Sequence, residues 1–124
     1  MRIFRYTAGL PDAVRGGVVT IGNFDGVHLG HQAVIGEAAR EAARRDAPMT
    51  VVTFEPHPRR FFRAGEPPFE LTPLRSKVRW LQAIGVETLQ LVYFDADMSQ
   101  ASAEDFVQNL LIDGLDARHV VVGY

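Results

Sequence analysis

Apolar and polar positions along this chain switch repeatedly between two periods. GGVVTIG (16–22) is a short β-branched run bounded by glycines, which predicts a buried strand. GHQAVIGEAAREAARRDA (30–47) follows with helical spacing: Val34, Ile35, Ala38, Ala39 and Ala42 recur on one side, while Glu37, Arg40, Glu41, Arg44 and Arg45 fill the other. That predicts an amphipathic helix ending before Pro48. MTVVTF (49–54) predicts a second strand, stopped by the two prolines of PHP (56–58). Residues 59–70 mix Arg, Phe, Gly and Pro and predict a long loop. TPLRSKVRWLQAIG (72–85) predicts a helix with Thr72 as N-cap, Pro73 at its first position and Gly85 as its stop. TLQLVYF (88–94) predicts a third strand. SAEDFVQNLLIDGL (102–115) predicts a third helix, capped by Ser102 with Glu104 and Asp105 in its electropositive first turn. HVVVGY (119–124) predicts a fourth strand, and MRIFRY can supply one more at the start.

Strand and helix alternate throughout, so the expected class is α/β: a Rossmann-like open parallel sheet with flanking helices. There is no internal repeat and no low-complexity segment. A buried parallel strand rarely closes a domain, so the expected architecture is cut inside its fold at the C-terminus.

Composition narrows the function classes. With 124 residues there is one domain, large enough to bury roughly two-thirds of its unfolded surface. There is no cysteine, which excludes disulfides, thiolate metal sites and thiol nucleophiles and fits a reducing compartment. A net charge of −2 provides no whole-surface attraction to nucleic acid or anionic lipid. No apolar run approaches a membrane span, and the N-terminus lacks a signal-peptide layout, so a cytoplasmic protein is expected. Lys77 is the only lysine among 13 basic residues; this Arg bias, with abundant Ala, is read as base composition rather than function.

The candidate chemistry lies in GNFDGVHLGHQ (22–32), between the first confident strand and the first helix. Its glycines run G-x-x-x-G-x-x-x-G, which is neither a Walker loop nor the G-x-G-x-x-G dinucleotide fingerprint. Its position still matters, because open parallel sheets bind ligands at the carboxyl ends of strands near the switch point. A helix start offers free N–H groups and the positive dipole end to an anion. Gly22, Gly26 and Gly30 let the backbone approach a ligand. His28 and His31, three apart, project to one side once the helix has begun. A metal site would need a third ligand from Asp25, His57 or a distant carboxylate. A phosphate site needs nothing further. A lone histidine would more often cap or pack; two at this place favour an anion site.

These residues also carry a family resemblance. GNFDGVHLGH resembles the H-x-G-H signature of the adenylyl- and cytidylyltransferase superfamily. TIGNFDGVHLGHQ, VVTFEPHP, LT (71–72), AEDFVQNLL and HVVVG, in that order, resemble the FAD synthetase (FMN adenylyltransferase) module of prokaryotic bifunctional riboflavin kinase/FAD synthetases. The match runs from about Val18 to the last residue, so residues 1–124 would be the N-terminal part of that domain, of nucleotidyltransferase type.

The resemblance implies that AMP is transferred from ATP to FMN, giving FAD and pyrophosphate, with Mg²⁺ carried by the ATP phosphates and no protein metal ligand identified. It implies that Gly22, Asn23, Phe24 and Gly26 line the ATP site, that His28 and His31 contact the phosphates as catalytic groups, and that His57 and Phe62 lie on the FMN side. A Ser/Thr-rich motif with an arginine and a riboflavin kinase module would belong to the rest of such a protein. The partners implied are small nucleotides and flavin. Two alternatives remain open: a nucleotide- or flavin-binding fragment without turnover, and an adenylyltransferase for another phosphorylated acceptor such as nicotinamide mononucleotide or phosphopantetheine.

Overall fold

The structure is a computed structural model that describes residues 1–5, 9–24, 29–55, 74–93 and 103–122. Five strands, β1 (Arg2–Phe4), β2 (Val18–Ile21), β3 (Met49–Glu55), β4 (Thr88–Tyr93) and β5 (His119–Val122), form one sheet in the order β1-β4-β3-β2-β5. Every pairing is parallel. In β2, Val18 pairs with Met49 on one side and His119 on the other, and the register holds to Ile21, opposite Val52 and Val122. The chain steps from β2 to β3 to β4 in one direction, then returns to place β5 on the far side of β2. The switch point therefore lies between β2 and β5.

The helices are α1 (Leu29–Arg45), α2 (Leu74–Ala83) and α3 (Ala103–Phe106), the last running into a π-helical segment, Val107–Gly114. A 3₁₀ turn, Asp12–Val14, precedes β2. Alternate side chains of the strands feed opposite faces. On one face Val18 and Val121 pack with Ala38 and Ala42 of α1, while Val51, Leu89 and Leu91 pack with Ile35 and with Leu81 of α2. On the other face Val19, Val52 and Val92 pack with Leu110, Leu111 and Leu115. Phe106 adds to that face, its ring centroid 6.0 Å from that of Phe54.

The expected elements are present, including the strand in MRIFRY, with ends shifted by a few residues. Two differences have physical causes. The third helix was expected to be α throughout, yet Leu115 N–H donates to Leu110 O at 2.9 Å, five residues back. The buried residues Leu110, Leu111, Gly114 and Leu115 recur at a spacing that this wider turn brings to one side. The guanidinium of Arg15 satisfies its last carbonyls, donating from Nε to Gly114 O at 3.0 Å and from Nη2 to Asp113 O at 3.2 Å. The second difference is at the end of α1, where Asp46 takes the left-handed conformation (φ 51°) in place of a glycine. Ala47 N–H then donates to Ala42 O at 2.9 Å and Asp46 N–H to Ala43 O at 3.2 Å.

The end of α2 follows its sequence signal. Gly85 has φ +96°, its N–H donates to Gln82 O, and Val86 N–H donates to Leu81 O at 3.0 Å. Leu81 and Val86 are both buried, which completes a Schellman stop. The proposed caps Thr72 and Ser102 lie outside the described residues, as does the 59–70 loop.

β2 enters the sheet under a tight constraint. Val18 N–H donates to Pro48 O at 2.9 Å, and Arg118 N–H donates to Gly17 O at 2.9 Å. A Cβ on Gly17 would stand 2.0 Å from the Pro48 carbonyl oxygen, a distance no side chain tolerates. Gly17→Ala must therefore pry β2 from β3 and is expected to lower unfolding free energy by roughly 3 kcal/mol, at the upper end of overpacking costs. Urea denaturation checks this; an unchanged midpoint would refute the close approach.

The same end of the sheet, where His119 pairs with Val18, carries a charge cluster. Glu41 accepts hydrogen bonds from Arg44 and from Arg45 Nε (2.7 Å), and Arg45 Nη2 donates to His119 Nδ1 at 3.2 Å. The hydrogen bond from Arg44, then that from Arg45, lowers the Glu41 pKa from 4.5 to about 2. A folded-state pKa below the unfolded value stabilises above it, so this contribution is present above about pH 4.5 and lost as pH falls towards 2. Glu41→Gln is expected to flatten stability against pH in that window, measured by thermal melts, with no change in slope above pH 6.

Candidate nucleotide site

β2 ends at Ile21, and the chain leaves the sheet through Gly22, Asn23 and Phe24 towards α1. This exit is at the carboxyl edge, beside the switch point. Gly22 N–H extends the parallel ladder by donating to Val52 O at 3.0 Å. Thr53, buried in β3, donates from Oγ1 to Asn23 O at 3.2 Å. The loop is thus tied to β3 by one backbone bond and one side-chain bond. Asn23 Oδ1 is buried and finds no hydrogen-bond partner among the described residues. An acceptor so placed has unused capacity at the rim where a ligand would arrive.

Phe24 supports the loop from beneath. Its φ of 54° lies in the left-handed region, which costs a non-glycine residue roughly 1–2 kcal/mol. Its ring is 3% exposed, packed with Ile35, Val51, Leu81 and Leu89. Full burial of such a ring supplies about 1.5–3 kcal/mol, enough to offset the strain. Gly22 belongs to the same arrangement, since a Cβ there would meet the Phe24 Cζ at 3.0 Å. Because the Phe24 ring faces the core, what this residue offers a ligand comes from its backbone.

His31 stands in the first turn of α1, half-buried. Its ring lies edge-on to Phe24 at 5.4 Å between centroids and edge-on to Trp80 of α2 at 6.3 Å. No acidic residue occupies the first turn of α1, and Arg44 and Arg45 occupy its last, so nothing in the helix competes with an anion at the start. Of the residues singled out from sequence, the structure brings together Gly22, Asn23, Phe24 and His31. Gly26, His28, His57 and Phe62 lie outside the described residues. Trp80 was not singled out: in sequence it reads as one apolar position of an amphipathic helix, and only the tertiary packing places it beside His31. Among the described residues, no group of three or more His, Asp or Glu side chains could hold a metal ion.

The doubly wound parallel sheet, with a glycine-bearing exit loop and a histidine at the next helix start, defines an α/β protein of the Rossmann-like class. Residues 10–124 match the FAD synthetase family, and the chain belongs to it. It is 38% identical over 124 residues to the bifunctional riboflavin kinase/FMN adenylyltransferase of Escherichia coli strain K12, covering 99% of this chain and 40% of that protein. The protein of the same name from Bacillus subtilis strain 168 is 39% identical over 108 residues, covering 86% of this chain and 34% of its own length. Among solved structures, a macrolide-efflux protein from Streptococcus pneumoniae superposes with a TM-score of 0.78 at 26% identity, over 97% of this chain and 40% of that one. Among the described residues no helix is long and apolar enough to cross a membrane.

If the loop rests on the Phe24 ring, two substitutions should rank in order. Phe24→Ala leaves a cavity and retains the left-handed backbone, and is expected to cost roughly 3–5 kcal/mol. Gly22→Ala only displaces the ring and should cost about 1–3 kcal/mol. Chemical denaturation gives the order; a harmless Phe24→Ala would contradict it.

Proposed function

We propose that this chain carries the adenylyl-transfer site of an FMN adenylyltransferase and belongs to a larger protein with a riboflavin kinase module. The observation that carries the reading is the position of His31, in the first turn of α1 directly after the Gly22–Phe24 exit of the strand beside the switch point. Family membership and the bifunctional relatives support the choice of ATP and FMN as substrates.

In this reading an FMN phosphate oxygen attacks the α-phosphorus of ATP. The bond from that phosphorus to the oxygen bridging the β-phosphorus breaks, and pyrophosphate leaves with the electron pair. No protein nucleophile takes part, which suits a chain without cysteine. The protein positions two anions and donates hydrogen bonds to charge that builds up in transfer. His31, with His28, donates to the phosphates. Gly22, Asn23, Phe24 and Gly26 line the ATP side, and His57 and Phe62 the flavin side. Mg²⁺ enters on the ATP phosphates, in keeping with its preference for phosphate and water over an all-protein cage.

Incubating the larger protein that contains this chain with FMN, ATP and Mg²⁺ and measuring FAD by chromatography tests the proposal. FAD should form, and His31→Ala should lower turnover about 10²–10³-fold while the chain still unfolds cooperatively. Near wild-type turnover in His31→Ala, or adenylylation of nicotinamide mononucleotide or phosphopantetheine in place of FMN, would overturn it. Binding of both substrates without FAD would leave only a binding fragment.

A further inference from the structure

Among the described residues, His31 has two aromatic neighbours from different parts of the chain. Phe24, 3% exposed and held in the core, makes a T-shaped contact with the imidazole at 5.4 Å between centroids with planes inclined at 73°. Trp80, half-buried and packed on the same core cluster from α2, meets it at 6.3 Å with planes at 67°. Such edge-to-face pairs are directional, because the positive ring edge seeks the negative face. An imidazole between two of them is restricted in χ2, a torsion that otherwise has a broad minimum. On the Phe24 side the ring is held in the core cluster and lies close to Gly22, where a Cβ would stand 3.0 Å from its Cζ. The Trp80 side is carried by a helix locked to the core through Leu81 and stopped at Gly85.

We propose that Trp80 is a positioning residue for His31: with Phe24 it forms an aromatic clamp that holds the imidazole in the orientation required for phosphate transfer. This inference rests on the reading of His31 as a phosphate-contacting group. Trp80 itself touches no substrate. It acts by removing alternative His31 rotamers, so its loss should appear in turnover and not in ground-state affinity. A misdirected donor of this kind costs on the order of 10–10²-fold. Trp80 is also the sole tryptophan of the chain, so its emission reports this contact without a background.

The test uses Trp80→Phe, which keeps an aromatic edge, and Trp80→Ala, which does not. In FAD formation, Trp80→Ala should lower kcat roughly 10–10²-fold with KM for ATP nearly unchanged, and Trp80→Phe should recover most of the loss. A rise in KM at constant kcat, or equal losses in both variants, would overturn the clamp. A second readout needs no turnover. The ring-proton resonances of His31 in the wild-type chain should carry a ring-current displacement that disappears in Trp80→Ala and largely persists in Trp80→Phe. Unchanged His31 resonances in a folded Trp80→Ala chain would also overturn it. If the larger wild-type protein makes no FAD, the reading of the reaction fails, and the resonances alone still decide whether Trp80 holds His31.

Discussion

Parallel pairing on both edges of β2 is the constraint from which the site follows. Val18 and Thr20 are fully buried and Val19 nearly so, with neighbours on either side in the sheet and helices above and below. A strand so enclosed leaves its chain one way out, over the carboxyl edge. Because β3 lies on one side and β5 on the other, that exit falls where the chain reverses its direction of winding, and the crevice there is what a ligand can enter. At the other end the same enclosure demands Gly17, whose backbone lies against the Pro48 carbonyl. Entry and exit of one four-residue strand thus set both a backbone approach that only glycine allows and the place of the candidate chemistry.

Much of this was legible in the sequence. Period-two and helical spacings located the strands and helices because each element buries a face. The Gly85 stop was readable because positive φ and glycine go together. The left-handed Asp46 and Asp116 carried no comparable sign, since aspartate is common in turns of every kind. The π-helical turns after Phe106 were hidden because apolar residues at 110, 111, 114 and 115 also suit an ordinary amphipathic helix.

The site was half legible. Glycines before a helix and two histidines three apart, His28 and His31, pointed to an anion cradle. The role of Phe24 did not show, because an aromatic between Asn23 and Asp25, in a glycine-rich loop, reads locally as a ligand contact. Its burial depends on Leu81 and Leu89, residues far along the chain. Trp80 was hidden for the same reason. Local sequence shows what a residue can do; tertiary packing decides what it faces.

The charges on α1 sharpen the division of labour within the helix. Glu41, Arg44, Arg45 and His119 gather at its C-terminal end, at the opposite edge of the sheet from the Gly22 exit. The positive N-terminal end carries no acid of its own. Yet the dipole contributes only about 0.3–1 kcal/mol to an anion, and screening by salt reduces it. A preorganised side-chain donor aimed at developing charge contributes about 3–4 kcal/mol. The larger effect depends on orientation, which the dipole does not control. Among the described residues, the ring contacts of the imidazole are apolar: a left-handed phenylalanine held in the core and a tryptophan on the adjacent helix. A reaction centre at this edge, as proposed, would take its geometry from the hydrophobic cluster beneath it, and the strain at Phe24 persists because burial of its ring outweighs it.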